Sequence, residues 1–532
     1  MSTTVSGIDY GVYTSLLDIF DKACERFPDR PMVTCMGATL SFSQVDELSR
    51  SLAAFLQQDL GLRPKDRIAI QLPNILQYPV AVYAALRAGL VIVNTNPLYT
   101  PRELQHQFTD ADVEVLITLT ANLPVIDQIK EKTSLATLIV TDPGDMLGMP
   151  GGTQTREGVY SFMGAIDQGR GQAVSPVSLQ QEDLVCLQYT GGTTGLSKGA
   201  MLSHGNLIAN LLQVNEEQKG ILVEGEEVYV VPLPLYHIFA FVLTFAVLTE
   251  GGHLAVLIPD PRNLDAFVAE LKRRPFTALA GLNTLFVALC HHEEFQKLDF
   301  SAFKLTAAGG MALNEDTAKL WHSVTGVWPA EGYGLTETSP TVTMNAPDAI
   351  KIGTVGTAIA DTEIKVVDDE GNSLPNGEPG ELVVRGPQVM QGYWNSPEET
   401  SAVLSPDGWF KTGDIAVIQD DGYVRIVDRL KDMILVSGFN VYPNEVEDVV
   451  MHHPGVLECA AIGVDDEKSG QAVQLFVVRR DPELDAESLA SHCKENLTAY
   501  KCPKHIVFRE ELPKSNVGKI LRKDLRNEGA VS

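Results

Sequence analysis

Tyr189-Thr190-Gly191-Gly192-Thr193-Thr194-Gly195-Leu196-Ser197-Lys198-Gly199 directly follows an apolar, β-rich run over 184–189. Gly191, Gly192 and Gly195 let backbone amides come close to an anion, while Thr190, Thr193 and Thr194 add hydroxyl donors. Lys198 adds a fixed positive charge, so a strand followed by this loop reads as a phosphate cradle. It is not a Walker A loop, because Ser197 precedes the lysine and Gly199 rather than Ser or Thr follows it. Nor is it Gly-x-Gly-x-x-Gly.

Outward from the loop, short β-rich runs at 67–72, 113–117, 136–140, 228–231, 254–257 and 305–308 alternate with helical stretches such as 264–273. That alternation predicts an α/β fold with largely parallel sheets. Near the start, Ser15 precedes Leu16, Leu17, Ile19, Phe20, Ala23 and Phe27, an amphipathic helix stopped by Pro28. From about residue 360 the spacing tightens to strands at 363–367, 381–385 and 423–427, with turns such as Leu374-Pro375-Asn376-Gly377. Beyond Asp428-Arg429-Leu430-Lys431-Asp432, strands at 459–464 and 473–478 and a helix at 487–497 predict a compact α+β module.

The 532 residues, 44% apolar and 21% charged, exclude a disordered or fibrous chain. With 41 basic and 69 acidic residues the net charge is −28, which excludes nucleic acid as a partner and requires a local pocket for any anionic ligand. Seven cysteines without a Cys-x-x-Cys pair argue against a disulfide framework and a zinc ribbon, and point to a reducing cytoplasm. The longest apolar run, 238–248, is far short of the roughly 20 residues a membrane span needs. Peripheral contact with the inner face of the cell membrane stays open, as does a homodimer.

The loop resembles the signature of the adenylate-forming (ANL) superfamily: acyl-CoA synthetases, peptide-synthetase adenylation domains and firefly-type luciferases. Four further segments match that family in order: Glu331-Gly332-Tyr333-Gly334-Leu335-Thr336-Glu337-Thr338, Lys411-Thr412-Gly413-Asp414, Arg429-Leu430-Lys431-Asp432 running on to Ser437-Gly438-Phe439-Asn440-Val441-Tyr442-Pro443, and Pro513-Lys514-Ser515-Asn516-Val517-Gly518-Lys519-Ile520. In detail, Pro234-Leu235-Tyr236-His237-Ile238-Phe239-Ala240 and Gly438-Phe439-Asn440-Val441-Tyr442-Pro443 most resemble bacterial long-chain fatty-acid CoA ligases. The resemblance implies a large N-terminal domain, 1–428, of two α/β sheet subdomains plus a β-rich subdomain at about 350–428. It also implies a hinge at 429–432 and a small mobile α+β domain at 433–532.

The activity it implies is ATP-dependent activation of a medium- or long-chain fatty acid to acyl-AMP, then transfer to CoA. The co-substrates are ATP and CoA, with Mg²⁺. Thr190 and Glu337 match the metal site, and Gly191, Gly192, Thr193, Thr194, Gly195 and Lys198 the phosphate loop. Gly309, Gly310 and Met311 with Glu331, Gly332, Tyr333 and Gly334 match the adenine slot, and Asp414 with Arg429 the ribose contact. His237, Thr336 and Lys519 match residues around the reacting carboxylate. Lys431 matches the pivot, and Gly438 and Phe439 the thiol channel. The helix 241–248 is apolar on every face, so it reads as buried and could line an alkyl tunnel. Alternatives are a ligase for shorter or aryl acids, a fatty-acyl-AMP ligase loading a carrier protein, a luciferase-like oxidoreductase, and a nucleotide-binding regulator without turnover.

Overall fold

The computed structural model describes residues 6–149, 157–190, 197–249, 254–437, 439–466, 468–514 and 520–529. The chain divides into two compact units, the first made of 1–363 with 385–410 and the second of 364–384 with 411–532.

Two sheets build the first unit. In the seven-stranded sheet the spatial order is Val159–Ser161, Thr137–Thr141, Val115–Leu119, Arg67–Gln71, Val91–Asn94, Leu184–Thr190, Lys198–Ser203. All its pairs run parallel except the last, where Leu184–Thr190 and Lys198–Ser203 form an antiparallel hairpin around the glycine-rich loop. The nine-stranded sheet is parallel from Pro31–Cys35 through Leu254–Leu257, Val228–Val231, Ala278–Gly281 and Leu305–Ala308 to Pro329–Gly334. Its outer strands, Ala38–Ser41 on one side and Thr341–Met344 with Thr357–Ala358 on the other, pair antiparallel. The parallel strands are nearly continuous apolar runs because helices cover both of their faces.

Local chemistry sets the helices. Leu16–Arg26 starts where the Ser15 hydroxyl accepts the Asp18 N–H at 3.1 Å, and it buries Leu16, Ile19, Phe20 and Ala23 as one stripe. Phe20 stacks on Tyr83 of the wholly buried helix Gln77–Arg87 with ring centroids 3.7 Å apart. Arg87, at the end of that helix, is itself buried, and its charge is met by Asp46 and, at 2.8 Å, by Asp21. Ile238–Thr249 is the expected all-apolar helix, with Phe241 and Phe245 fully buried.

The second unit holds a four-stranded sheet in the order Glu363–Val367, Gly380–Arg385, Phe410–Ile418, Val424–Arg429, the boundary residues 363, 385 and 410 being counted with the first unit. A five-stranded sheet follows, centred on Gly470–Arg479, which pairs antiparallel with Val456–Asp466 and parallel with His505–Arg509. Helices Pro443–Met451 and Ala486–Asn496 pack Val446, Val450, Leu489 and Cys493 into one core with Leu475 and Val477. Of the segment read as β-rich, 364–384 and 411–428 are thus grouped with the C-terminal hundred residues, while 350–363 and 385–410 are grouped with the first unit. The local reason is a bonded joint at Asp428: its carboxylate accepts the N–H groups of Asn444 and Arg429, each at 2.7 Å, and the Arg522 guanidinium lies 3.6 Å away. Burial pushes the Asp428 carboxyl up to about 6.

Candidate active site

In the first unit the sequence-identified segments leave neighbouring strands at their carboxyl ends, where open α/β sheets collect ligands. Leu305–Ala308 runs into Gly309-Gly310-Met311, and the adjacent Pro329–Gly334 carries Glu331, Gly332, Tyr333 and Gly334. A Cβ added to Gly309 would lie 3.3 Å from the Phe239 ring and 3.6 Å from the Gly332 carbonyl oxygen. The start of the apolar helix and the two glycine segments thus converge on one point. Gly334 is under harder constraint, since a Cβ there would sit 1.9 Å from the Pro340 carbonyl oxygen. Tyr333 is half-buried. His237 is exposed, so it is not a core histidine, and its carbonyl accepts the Phe241 N–H at 2.9 Å to start the helix.

Glu331 is only 7% exposed, and its Oε1 accepts the Leu313 N–H at 2.9 Å, fastening the 309–313 loop to the neighbouring strand. Burial pushes its carboxyl up to about 8, against the opposing pull of that N–H. Such an acid is largely neutral at pH 7, a state in which it both accepts and donates.

Glu337 lies in the short helix Thr336–Thr338 and is buried. Its Oε1 accepts the Tyr393 hydroxyl at 2.8 Å, and its carbonyl oxygen accepts the Met390 N–H, also at 2.8 Å. Thr190 ends its strand opposite Lys198 in the hairpin register. Lys198 pairs with Glu399 and lies 5.2 Å from the centroid of the Tyr393 ring. The hairpin is braced by Tyr189, whose hydroxyl donates to Asp110 at 2.5 Å, and by His106, whose Nε2 is 2.7 Å from the Ser197 carbonyl oxygen.

In the second unit Asp414 and Arg429 are partners across the antiparallel ladder, and the carboxylate is 2% exposed. Thr412 orients the turn, donating its hydroxyl to the Leu382 carbonyl and accepting the Asp414 N–H at 3.1 Å. Lys431 is exposed within the short helix Leu430–Asp432, while Asp432 beside it is tied to Arg526 at 2.7 Å. Phe439 is 56% exposed and stacks on Tyr500 with centroids 4.8 Å apart. Gly191, Gly192, Thr193, Thr194, Gly195, Gly438 and Lys519 lie outside the described residues. The last of these segments is bracketed by a β-bridge between Lys514 and Ile520.

Tyr393, Glu399 and Met390 are not marked by the sequence reading. They lie within 390–399, which the sequence reading does not single out, and only the fold brings this stretch to the hairpin and to Glu337. Its backbone laces to the hairpin: the Met201 N–H donates to the Gly392 carbonyl at 2.9 Å and the Trp394 N–H to the Gly199 carbonyl at 2.8 Å.

A carboxylate next to a hairpin with a cation suits a nucleotide held through its phosphates and a divalent ion. Among the described residues no group of three His, Cys, Asp or Glu side chains stands ready to hold a metal alone. Among the same residues no helix is long and apolar enough to cross a membrane.

Residues 20–394 match the AMP-binding enzyme family, and residues 445–519 match the AMP-binding enzyme C-terminal domain. A long-chain-fatty-acid–CoA ligase of Escherichia coli O6:H1 is 49% identical over 97% of this chain and 95% of its own length. Among solved structures, ATP-bound MatB from Rhodopseudomonas palustris superposes with a TM-score of 0.85 at 30% identity, over 96% of this chain and 98% of its own. The anthranilate CoA ligase AuaEII in complex with anthranoyl-AMP gives a TM-score of 0.87 at 26% identity, over 98% and 99% of the two chains.

Proposed function

Since this chain belongs to the AMP-binding enzyme family, we propose that it is an acid–thiol ligase that activates long-chain fatty acids with ATP and passes the acyl group to CoA. In the first half-reaction a carboxylate oxygen attacks the α-phosphorus of ATP, the bond to the bridging oxygen breaks, and pyrophosphate leaves. In the second, CoA sulfur attacks the acyl carbonyl, a proton is lost from the thiol, and AMP leaves as the anhydride bond breaks.

In this reading the chain neutralises and positions anions, because phosphoryl transfer needs charge compensation and alignment more than covalent help. Lys198 and the Thr190–Gly195 loop hold phosphates. Glu337 and Thr190 hold Mg²⁺, which when bound offsets phosphate charge. Gly309, Gly310, Met311, Gly332, Tyr333 and Gly334 admit the adenine, and Asp414 with Arg429 takes the ribose hydroxyls. His237 and Thr336 face the carboxylate, and Lys519 bridges carboxylate and α-phosphate during adenylation. Lys431 is the pivot about which the C-terminal domain, 433–532, exchanges Lys519 for Gly438 and Phe439, which flank the thiol channel. A cytoplasmic location belongs to the same proposal, supported by seven cysteines that are all unpaired.

The observation that carries the reading is the convergence of Phe239, Gly309 and Gly332, where the apolar acyl-side helix meets the nucleotide-side glycines. Each buried methylene contributes about 0.8 kcal/mol, so an apolar tunnel along Ile238–Thr249 would select long chains without polar contacts. The test is AMP release from ATP, Mg²⁺ and CoA against acids from acetate to oleate and against benzoates, with a parallel series lacking CoA. Turnover rising with chain length and requiring CoA is expected. Best turnover with short or aryl acids, or acyl-AMP formation that ignores CoA, would overturn it.

A further inference from the structure

We propose that Tyr393 is a positioning residue for the metal–nucleotide site, fixing the Glu337 carboxylate through its hydroxyl while its ring backs the Lys198 ammonium. The inference rests on the assignment of Glu337 to Mg²⁺ made above.

Four observations carry it. First, the hydroxyl donates to Glu337 Oε1 at 2.8 Å with both residues buried, so no surrounding water competes strongly for the carboxylate. Second, the tyrosine cannot drift, because its N–H donates to the Thr400 hydroxyl at 2.9 Å and its backbone bridges Ala200 of the hairpin strand. Third, the Glu337 main chain is pinned by the same segment, through the Met390 N–H at 2.8 Å, so side chain and backbone of the acid share one support. Fourth, Lys198 lies 5.2 Å from the ring centroid and is paired with Glu399, one residue before Thr400. A single phenol therefore hydrogen-bonds the proposed metal ligand and presents its ring to the cation proposed to hold the phosphates.

A glutamate has three side-chain torsions, and a carboxylate free to rotate spends little time presenting the edge a small cation needs. A donor held rigidly against one oxygen removes that freedom, the role hydrogen-bonded partners of ligating carboxylates commonly have. A tyrosine serving only as core would need its ring but not its hydroxyl, and the proposal separates these two.

The experiment measures Mn²⁺ binding, by electron paramagnetic resonance, to the full-length protein saturated with a non-hydrolysable ATP analogue. Kinetics are followed alongside as a function of free Mg²⁺. Tyr393→Phe should weaken Mn²⁺ binding about tenfold and move the Mg²⁺ requirement upward by a similar factor, with the KM for fatty acid unchanged. Excess Mg²⁺ should restore most of kcat. If Tyr393→Phe misfolds, 4-fluorophenylalanine at 393 fills the hydroxyl's space without donating and should give the same shift. A Mn²⁺ isotherm superimposable on that of the parent, or a uniform loss of activity that Mg²⁺ does not rescue, would overturn the positioning role. Glu337→Gln separates the two levels: if it leaves Mn²⁺ binding intact, the metal assignment itself fails, whereas weakened binding there with none in Tyr393→Phe refutes only the tyrosine's part.

Discussion

Arg429 faces Asp414 across the antiparallel ladder, its Nε 2.6 Å from the buried Oδ1 of the carboxylate. The pair fixes a charge that desolvation alone would oppose, and does so with a guanidinium that is itself 37% exposed. Asp414→Asn should raise the KM for ATP about tenfold, the cost of roughly one charge-assisted hydrogen bond to a ribose hydroxyl, and leave the KM for fatty acid alone. Steady-state kinetics with each substrate varied in turn reads this, and an unchanged KM for ATP would remove Asp414 from the nucleotide site.

At Gly309 a methyl group would press on the Phe239 ring at 3.3 Å, tighter than ordinary van der Waals contact. Gly309→Ala should therefore weaken both ATP and fatty acid, and Phe239→Leu in the same chain should recover much of the loss by withdrawing the ring edge. Failure of the second change to rescue the first would show that the two residues do not meet at the working site.

His204 is buried, its Nδ1 accepts the Leu16 N–H at 3.2 Å, and burial holds its imidazole down at about 4 despite the nearby Asp183. In the unfolded chain the ring titrates near 6.5. The neutral ring's contribution is therefore complete above that pH and is lost as pH falls from 6.5 towards 4, by on the order of 3 kcal/mol. His204→Asn keeps an acceptor without the titration. Its thermal midpoint should fall less than the parent's between those two pH values, and parallel curves would refute the assignment.

Glu331 behaves with the opposite sign. Its folded carboxyl is raised to about 8 from 4.5, so its contribution is complete below the lower value and is lost as pH rises through the higher one. Glu331→Gln keeps the Leu313 N–H satisfied through an amide oxygen. Melting curves should show the variant gaining on the parent steadily from about pH 5 to pH 8; a constant difference would mean that Glu331 is already ionised in the native protein.

Much of this architecture was legible because parallel strands announce themselves. Leu305–Ala308, Val228–Val231 and Leu254–Leu257 are found at the residues read from the sequence, as apolar β-rich runs between helical stretches. Strand ends shifted where periodicity carries no stop signal: the run read at 113–117 is the strand Val115–Leu119, and 459–464 is the middle of Val456–Asp466. The sequence marks Glu331 for the nucleotide but not its bond to the Leu313 backbone, because nothing in a sequence tells which loop a side chain will meet. Tyr393 escaped for a related reason. Its partner Glu337 is 56 residues distant, and its significance lies in a hydroxyl that looks like any other beside Gly392 and Trp394.

The main chain passes between the two units three times, after residues 363, 384 and 410. A protein engineer wishing to graft a foreign C-terminal module would naturally cut once, near 429–432. Such a splice would sever Asp428 from Asn444 and Arg522 and marry each half to strangers. Recombinants should express best when the donor supplies 364–384 together with everything from 411 onward, while the recipient keeps 385–410 and the tyrosine within it.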